Sequence, residues 1–219
     1  MHISGISRTE RRSATAVALS AALAFAIIVF FVLHGGAVVA WDRAVNTWMH
    51  ARRTRMGDRI SVDVSLLGIP GVWILDIGIA VVLLWLRRWA WLLTWIAMTG
   101  GGGLLDRGIK VLVNRPRPPY AAEFLSHYSP SFPSGHAMAS AIAYLTAVVV
   151  LARVVSLRRA YCAALMCLAL VIVLAVGLSR VYLAVHYPTD VLGGYSAGIA
   201  WSAGVMACTV GVRRSSTNF

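Results

Sequence analysis

Apolar residues in this chain run together in long stretches instead of alternating with polar ones. Residues 14–33, 69–86, 89–105, 134–151, 160–178 and 191–212 each read as a helix apolar on every side. Such a helix belongs in the core of a large protein or in a bilayer. Each stretch approaches the roughly 20 residues that cross a membrane. Short basic clusters close several of them: Arg87-Arg88, then Arg153 with Arg158 and Arg159, then Arg213-Arg214. The pattern predicts an all-α integral membrane bundle of six transmembrane helices, with residues 1–219 forming a single domain. The first stretch follows a basic segment and invites comparison with a secretory signal. It is long for one, and no small-residue cleavage site follows His34-Gly35-Gly36, so a retained span is expected.

Two intervals depart from this pattern. In residues 41–59, Trp41, Val45, Trp48, Met49 and Met56 recur at helical spacing, while Arg52, Arg53 and Arg55 fall largely elsewhere. This predicts an amphipathic helix lying in the interface between the first and second spans, its tryptophans at headgroup depth and its arginines on lipid phosphates. Residues 106–133 are polar and proline-rich and read as a long connection. Within the third span, the run from Gly100 to Gly103 would weaken an ordinary helix. In a membrane bundle, small residues let helix backbones approach closely.

Composition agrees. Of 219 residues, 59% are hydrophobic and 13% charged, against about 25% charged in a soluble domain. The net charge of +12 would suit a nucleic-acid binder. Much of the excess instead clusters at span ends, where it marks topology and meets anionic headgroups, so membrane lipids and no nucleic acid are the expected partners. Cys162, Cys167 and Cys208 lie in apolar runs at spacings that suit neither a disulfide framework nor a zinc site, and core packing is their expected role. Nothing in the sequence sets an oligomeric state.

Three short polar motifs interrupt the apolar pattern in a fixed order. Lys110 is followed by six residues and then Arg117-Pro118; Pro133-Ser134-Gly135-His136 opens the fourth span; Ser179-Arg180 is followed by His186 and Asp190. Lys110, Arg117 and Arg180 can neutralise phosphoryl oxygens, arginine with a planar fork and lysine as a point charge. The bland reading of each is a snorkelling cation at a helix end. For Arg115, outside the motif spacing, the two readings balance. Ser134 and Gly135 fall at a helix start, where free backbone N–H groups bind anions; Ser134 can cap the helix, contact a phosphoryl oxygen, or do both. Pro188 suits a first helical turn, which brings Asp190 near His186 to fix its tautomer and leave one nitrogen free to attack.

The ordered triple resembles the type 2 phosphatidic acid phosphatase superfamily, which also contains the vanadate haloperoxidases and glucose-6-phosphatase, and every motif position is filled. The resemblance implies His186 as a nucleophile passing through a phosphohistidine, Asp190 as its orienter and His136 as general acid. It also implies Lys110, Arg117, Ser134, Gly135 and Arg180 as substrate-binding residues, with no metal and no cofactor. His2, His34, His50 and His127 match no motif position; Glu123 stands alone, and Asp106 is expected to pair with Lys110.

The expected activity is a lipid phosphatase in a bacterial-type plasma membrane, with undecaprenyl diphosphate the first choice of substrate by resemblance. Phosphatidylglycerol phosphate and phosphatidic acid share the head-group chemistry. A non-catalytic binder or carrier of anionic lipid would need only the cations, and a soluble-substrate enzyme would need a larger capping region. Basic residues tie at ten on each side of the six-span topology. Because several on one side belong to the motifs, the other side, holding both termini, is read as cytoplasmic and the motifs as outward-facing.

Overall fold

The structure is a computed structural model and describes residues 7–124 and 129–209. Among the described residues it is helical, with no strands: α1 (Arg8–His34), α2 (Gly36–Ala51), α3 (Arg55–Leu66), α4 (Pro70–Trp85), α5 (Trp89–Val113), α6 (Gly135–Val154), α7 (Arg159–Tyr182) and α8 (Pro188–Cys208), with a 3-10 turn at Pro119–Glu123. Among the described residues, five segments are long and apolar enough to cross a membrane: α1, α3 with α4, α6, α7 and α8. The remaining expected span corresponds to α5, which has 25 residues. Its tryptophans and glycines make it less apolar. Arg213 and Arg214 lie outside the described residues, as do His2 and His127.

α6 is the centre of the bundle, packing against α4, α5, α7 and α8. Its small residues Ala137, Ser140, Ala141, Ala143 and Ala147 are buried, and in lipid close contact of this kind holds helices together. α1 is the opposite case: it lies along α8, and only 6% of its apolar window is buried. Of the four consecutive glycines in α5, two serve close approach. A Cβ on Gly101 would strike the Trp201 ring and one on Gly102 would strike Ile142, whereas Gly100 and Gly103 have nothing within 4 Å.

Four expectations change. The segment 41–59 is two helices, not one. Thr54 caps α3 by accepting from Gly57 N, and Arg53 folds back onto Asp58 at 2.9 Å, so the chain breaks between Ala51 and Arg55. Trp41 and Trp48 on α2 are exposed, with Arg52 4.4 Å over the Trp48 ring, as an interfacial helix requires. α5 continues two turns past residue 105, because Leu105, Ile109 and Val113 extend its apolar face onto the core. Asn114, left-handed at φ 43°, then stops it ahead of Arg115-Pro116. The cysteines do not pack the core: Cys167 and Cys208 are exposed and Cys162 is intermediate. Glu123 is not alone, since it accepts from Arg53 at 2.9 Å and lies 3.9 Å from His50, which stacks on Tyr120.

Glu10 and Arg153 pair at 2.8 Å, Arg11 reaches the Thr209 carbonyl, and Thr94 meets the Thr209 hydroxyl. These contacts gather the starts of α1 and α5 and the ends of α6 and α8 at one end of the bundle. The three polar motifs gather at the other.

Candidate active site

The α7–α8 turn builds the centre of the site. Arg180 closes α7, and its carbonyl accepts from Val185 N at 3.2 Å and His186 N at 3.3 Å. Ala184 takes a left-handed φ of 54°, which turns the chain sharply enough to drop His186 into the protein, where it is 2% exposed. Pro188 starts α8 one residue after Tyr187, whose N–H donates to Asp190 Oδ2 at 2.9 Å. The same Oδ2 lies 3.5 Å from His186 Nδ1. On the far side of the ring, Arg117 Nη1 is 3.2 Å from His186 Nε2. A guanidinium can only donate, so Nε2 is the acceptor and Nδ1 carries the proton facing Asp190. Burial pushes the His186 imidazole down to about 4, against the pull of Asp190, so the ring is neutral at pH 7.

The expected phosphate-binding residues surround this ring. Ser134 is the N-cap residue of α6, yet its side chain caps nothing. Its N–H donates to the Asp190 carbonyl at 2.9 Å, which joins the second motif to the third. Its Oγ is buried with no hydrogen-bond partner among the described residues, as is Arg180 Nε. Arg180 Nη1 donates to Ser65 Oγ at 3.0 Å, so α3 steadies this arginine. Lys110, inside α5 and not in a loop, donates to Asp106 at 2.7 Å and to the Pro133 carbonyl, two residues before Gly135. Arg117 is held by Ser129 O at 2.7 Å, Ser129 Oγ at 2.8 Å and Val185 O at 3.0 Å. His136 packs against Gly68, where a Cβ would come within 2.8 Å of its ring, and it feels the charges of Arg180, Arg117 and Lys110. α8 approaches the start of α6 closely: a Cβ on Gly194 would lie 2.6 Å from the Ser134 carbonyl.

Sequence reasoning missed a second set of residues behind Asp190. Arg115 is 8% exposed and donates to Asp190 Oδ1 at 2.6 Å, Thr189 Oγ1 at 2.8 Å and Asp42 Oδ2 at 2.7 Å. Asp42, fully buried on α2, also accepts from Thr189 N at 3.2 Å and from the Thr189 hydroxyl. A signal for Asp42 was present. It and Asn46 share a helical face with Val45 and Met49, which pack on Ala137, Val181 and Val191. Polar residues set among the apolar positions of an amphipathic helix point inward.

Among the described residues, no group of three or more His, Cys, Asp or Glu is arranged to hold a metal. A neutral, oriented imidazole ringed by fixed cations at the end of a helical membrane bundle is the arrangement of a phosphoryl-transfer enzyme. Residues 88–214, more than half of the chain, match the PAP2 superfamily. The chain belongs to that superfamily and is a multi-pass membrane lipid phosphatase. It is 32% identical over 181 residues to Phosphatidylglycerophosphatase B of Bacillus subtilis (strain 168), a match covering 80% of this chain and 86% of that protein. It also resembles the crystal structure of the first transmembrane PAP2 type phosphatidylglycerolphosphate phosphatase from Bacillus subtilis. That likeness has a TM-score of 0.75 and 30% identity, and covers 86% of this chain and 94% of that one.

Proposed function

We propose that this chain, acting as one domain, hydrolyses phosphatidylglycerol phosphate without a metal, through a phosphohistidine at His186. The observation that carries the chemistry is the neutral His186, proton on Nδ1 toward Asp190 and Nε2 against Arg117. Phosphate oxygens are received by Lys110, Arg117 and Arg180, the Ser134 hydroxyl and the α6 N-terminus at Gly135. The bound phosphate's negative charge offsets the surrounding cations and lets His136 hold a proton. The Nε2 lone pair attacks phosphorus, the bond to the lipid oxygen breaks, and His136 delivers its proton to that oxygen. Water then attacks the phosphohistidine and gives a proton to His136. The P–N bond breaks, and inorganic phosphate leaves with His186 neutral again. A carrier would have no use for an oriented, neutral imidazole.

The likeness to a phosphatidylglycerophosphatase supports this lipid over undecaprenyl diphosphate and phosphatidic acid. Phosphate release by the purified enzyme with EDTA present, measured on all three lipids, is expected to give the highest kcat/KM on phosphatidylglycerol phosphate, and vanadate is expected to inhibit. A higher value on undecaprenyl diphosphate would overturn the substrate assignment. Activity lost on chelation and restored by magnesium would overturn the metal-free mechanism.

The site faces outward from a bacterial plasma membrane, with both termini in the cytoplasm. Arg8, Arg11, Arg12, Arg87, Arg88, Arg153, Arg158 and Arg159 lie toward the end opposite the motifs, which supports this orientation. With the native cysteines removed, Ser126→Cys is expected to react with an impermeant maleimide in intact cells and Ser156→Cys is not. The reverse pattern would turn the enzyme over in the membrane.

A further inference from the structure

We propose that Arg115 and Asp42 are positioning residues that clamp Asp190, so that the interfacial helix α2 belongs to the catalytic apparatus as well as to the membrane surface. The proposal rests on His186 being the nucleophile. Asp190 divides its oxygens between two tasks: Oδ2 takes the Tyr187 N–H and faces His186 Nδ1, while Oδ1 takes Arg115 at 2.6 Å. With both oxygens engaged, the carboxylate plane cannot rotate, and the imidazole tautomer is fixed with it. Arg115 is itself fixed from behind by Asp42 at 2.7 Å and from one face by the Tyr187 ring, 4.3 Å from its guanidinium carbon. Asp42 is held by Thr189, the neighbour of Asp190. One turn further along α2, Asn46 Nδ2 lies 3.5 Å from the His186 carbonyl. α2 therefore reaches the residue carrying the nucleophile directly, and its orienter through Arg115.

Arg115 is not a third phosphate-binding arginine. Both of its terminal nitrogens are bonded to protein oxygens, two of them on carboxylates, whereas Arg180 keeps a buried Nε with no partner among the described residues. The sequence Asn114-Arg115-Pro116-Arg117-Pro118 thus carries two arginines with different jobs: Arg117 touches the nucleophile and Arg115 touches its orienter.

The test uses purified full-length enzyme and a short-chain, soluble phosphatidic acid. R115M is expected to lower kcat about 10–100-fold, the size typical for outer-shell partners that orient an imidazole, with KM nearly unchanged. Its acid limb of kcat/KM is expected to move to higher pH. The charges facing His186 are Asp190 from α8, Arg180 from α7 and Arg117 from the α5–α6 connection, with Arg115 behind Asp190, and the titratable group facing it is His136 from α6. Removing a nearby cation favours the imidazolium, which cannot attack. D42N, isosteric with the native residue, is expected to lower kcat less, R115K to retain more activity than R115M, and the double variant D42N/R115M to be no worse than R115M alone, because both act through one carboxylate.

If Arg115 and Asp42 only hold the fold together, the variants lose thermal stability in detergent, while folded enzyme keeps the wild-type kcat and acid limb; that result overturns the proposal. So does a rise in KM at constant kcat, which would make Arg115 a phosphate ligand. Should R115M fail to fold, D42N and R115K decide the matter by the same readouts. Activity surviving in H186A and D190N would instead sink the nucleophile reading beneath it. Inactive H186A with D42N, R115K and R115M all indistinguishable from wild type would sink the clamp alone.

Discussion

The two ends of this bundle carry many of the same residue type in opposite circumstances. At the motif end, Lys110, Arg115, Arg117 and Arg180 are each bonded to named protein acceptors. At the other end, Arg8, Arg12, Arg87, Arg158 and Arg159 are exposed. A cation in open water or among headgroups gives topology and surface attraction, and its side chain is free to move. A cation held by carbonyls and carboxylates has lost that freedom before substrate arrives, and stabilises developing negative charge with little reorganisation. A count of arginines cannot separate these roles; their acceptors do.

The sharpest way to break the contrast is at the centre of the fixed end. His186→Ala is expected to abolish turnover of every phosphate ester, because no nucleophile remains. Appreciable turnover by this variant, contamination excluded, would remove the mechanism. His136→Ala is expected to cost about 10²–10⁴-fold on phosphatidic acid, whose alkoxide needs a proton to leave. On p-nitrophenyl phosphate, whose leaving group is stable unprotonated, it is expected to retain more of its rate. An equal loss on both substrates would count against the general acid. The smallest effect belongs to the exposed end. Glu10→Gln removes the partner of Arg153, and because both side chains are about a third or more exposed, the change in stability is expected to stay under about 1 kcal/mol, with kcat unaltered. A large loss of activity in this variant would mean that the two ends are coupled and the contrast is false.

The helical membrane bundle and the order of the three motifs were legible because each depends on order along the chain: long apolar runs, and cations and histidines at fixed intervals. The contact of Asp106 with Lys110 was legible for the same reason, being one helical turn. What escaped depends on pairing across the chain. Asp42 and Arg115 are 73 positions apart, and Arg53 and Glu123 are 70 apart. Nothing near Asp42 in the chain gives it a partner, and Arg115, read alone, was equally a snorkelling side chain and a phosphate ligand. The α5 extension escaped because the prolines from Pro116 onward suggested a connection beginning earlier than Asn114 starts it. The cysteines escaped because an apolar run does not say which side of a helix faces lipid and which faces protein.

The close approach at Gly194 bears on how this site could be transplanted. Position 194 has room for a hydrogen and little more, because the Ser134 carbonyl and the Ala137 side chain occupy the space a methyl group would need. Copying the histidines, arginines and aspartates onto another bundle would not reproduce the site unless the recipient also held its two helices at this spacing. The portable unit is the separation between α6 and α8, and glycine is the residue that encodes it. A chimera that kept Asp190 but exchanged the rest of α8 for a segment with alanine at position 194 would keep every reactive group and lose their alignment.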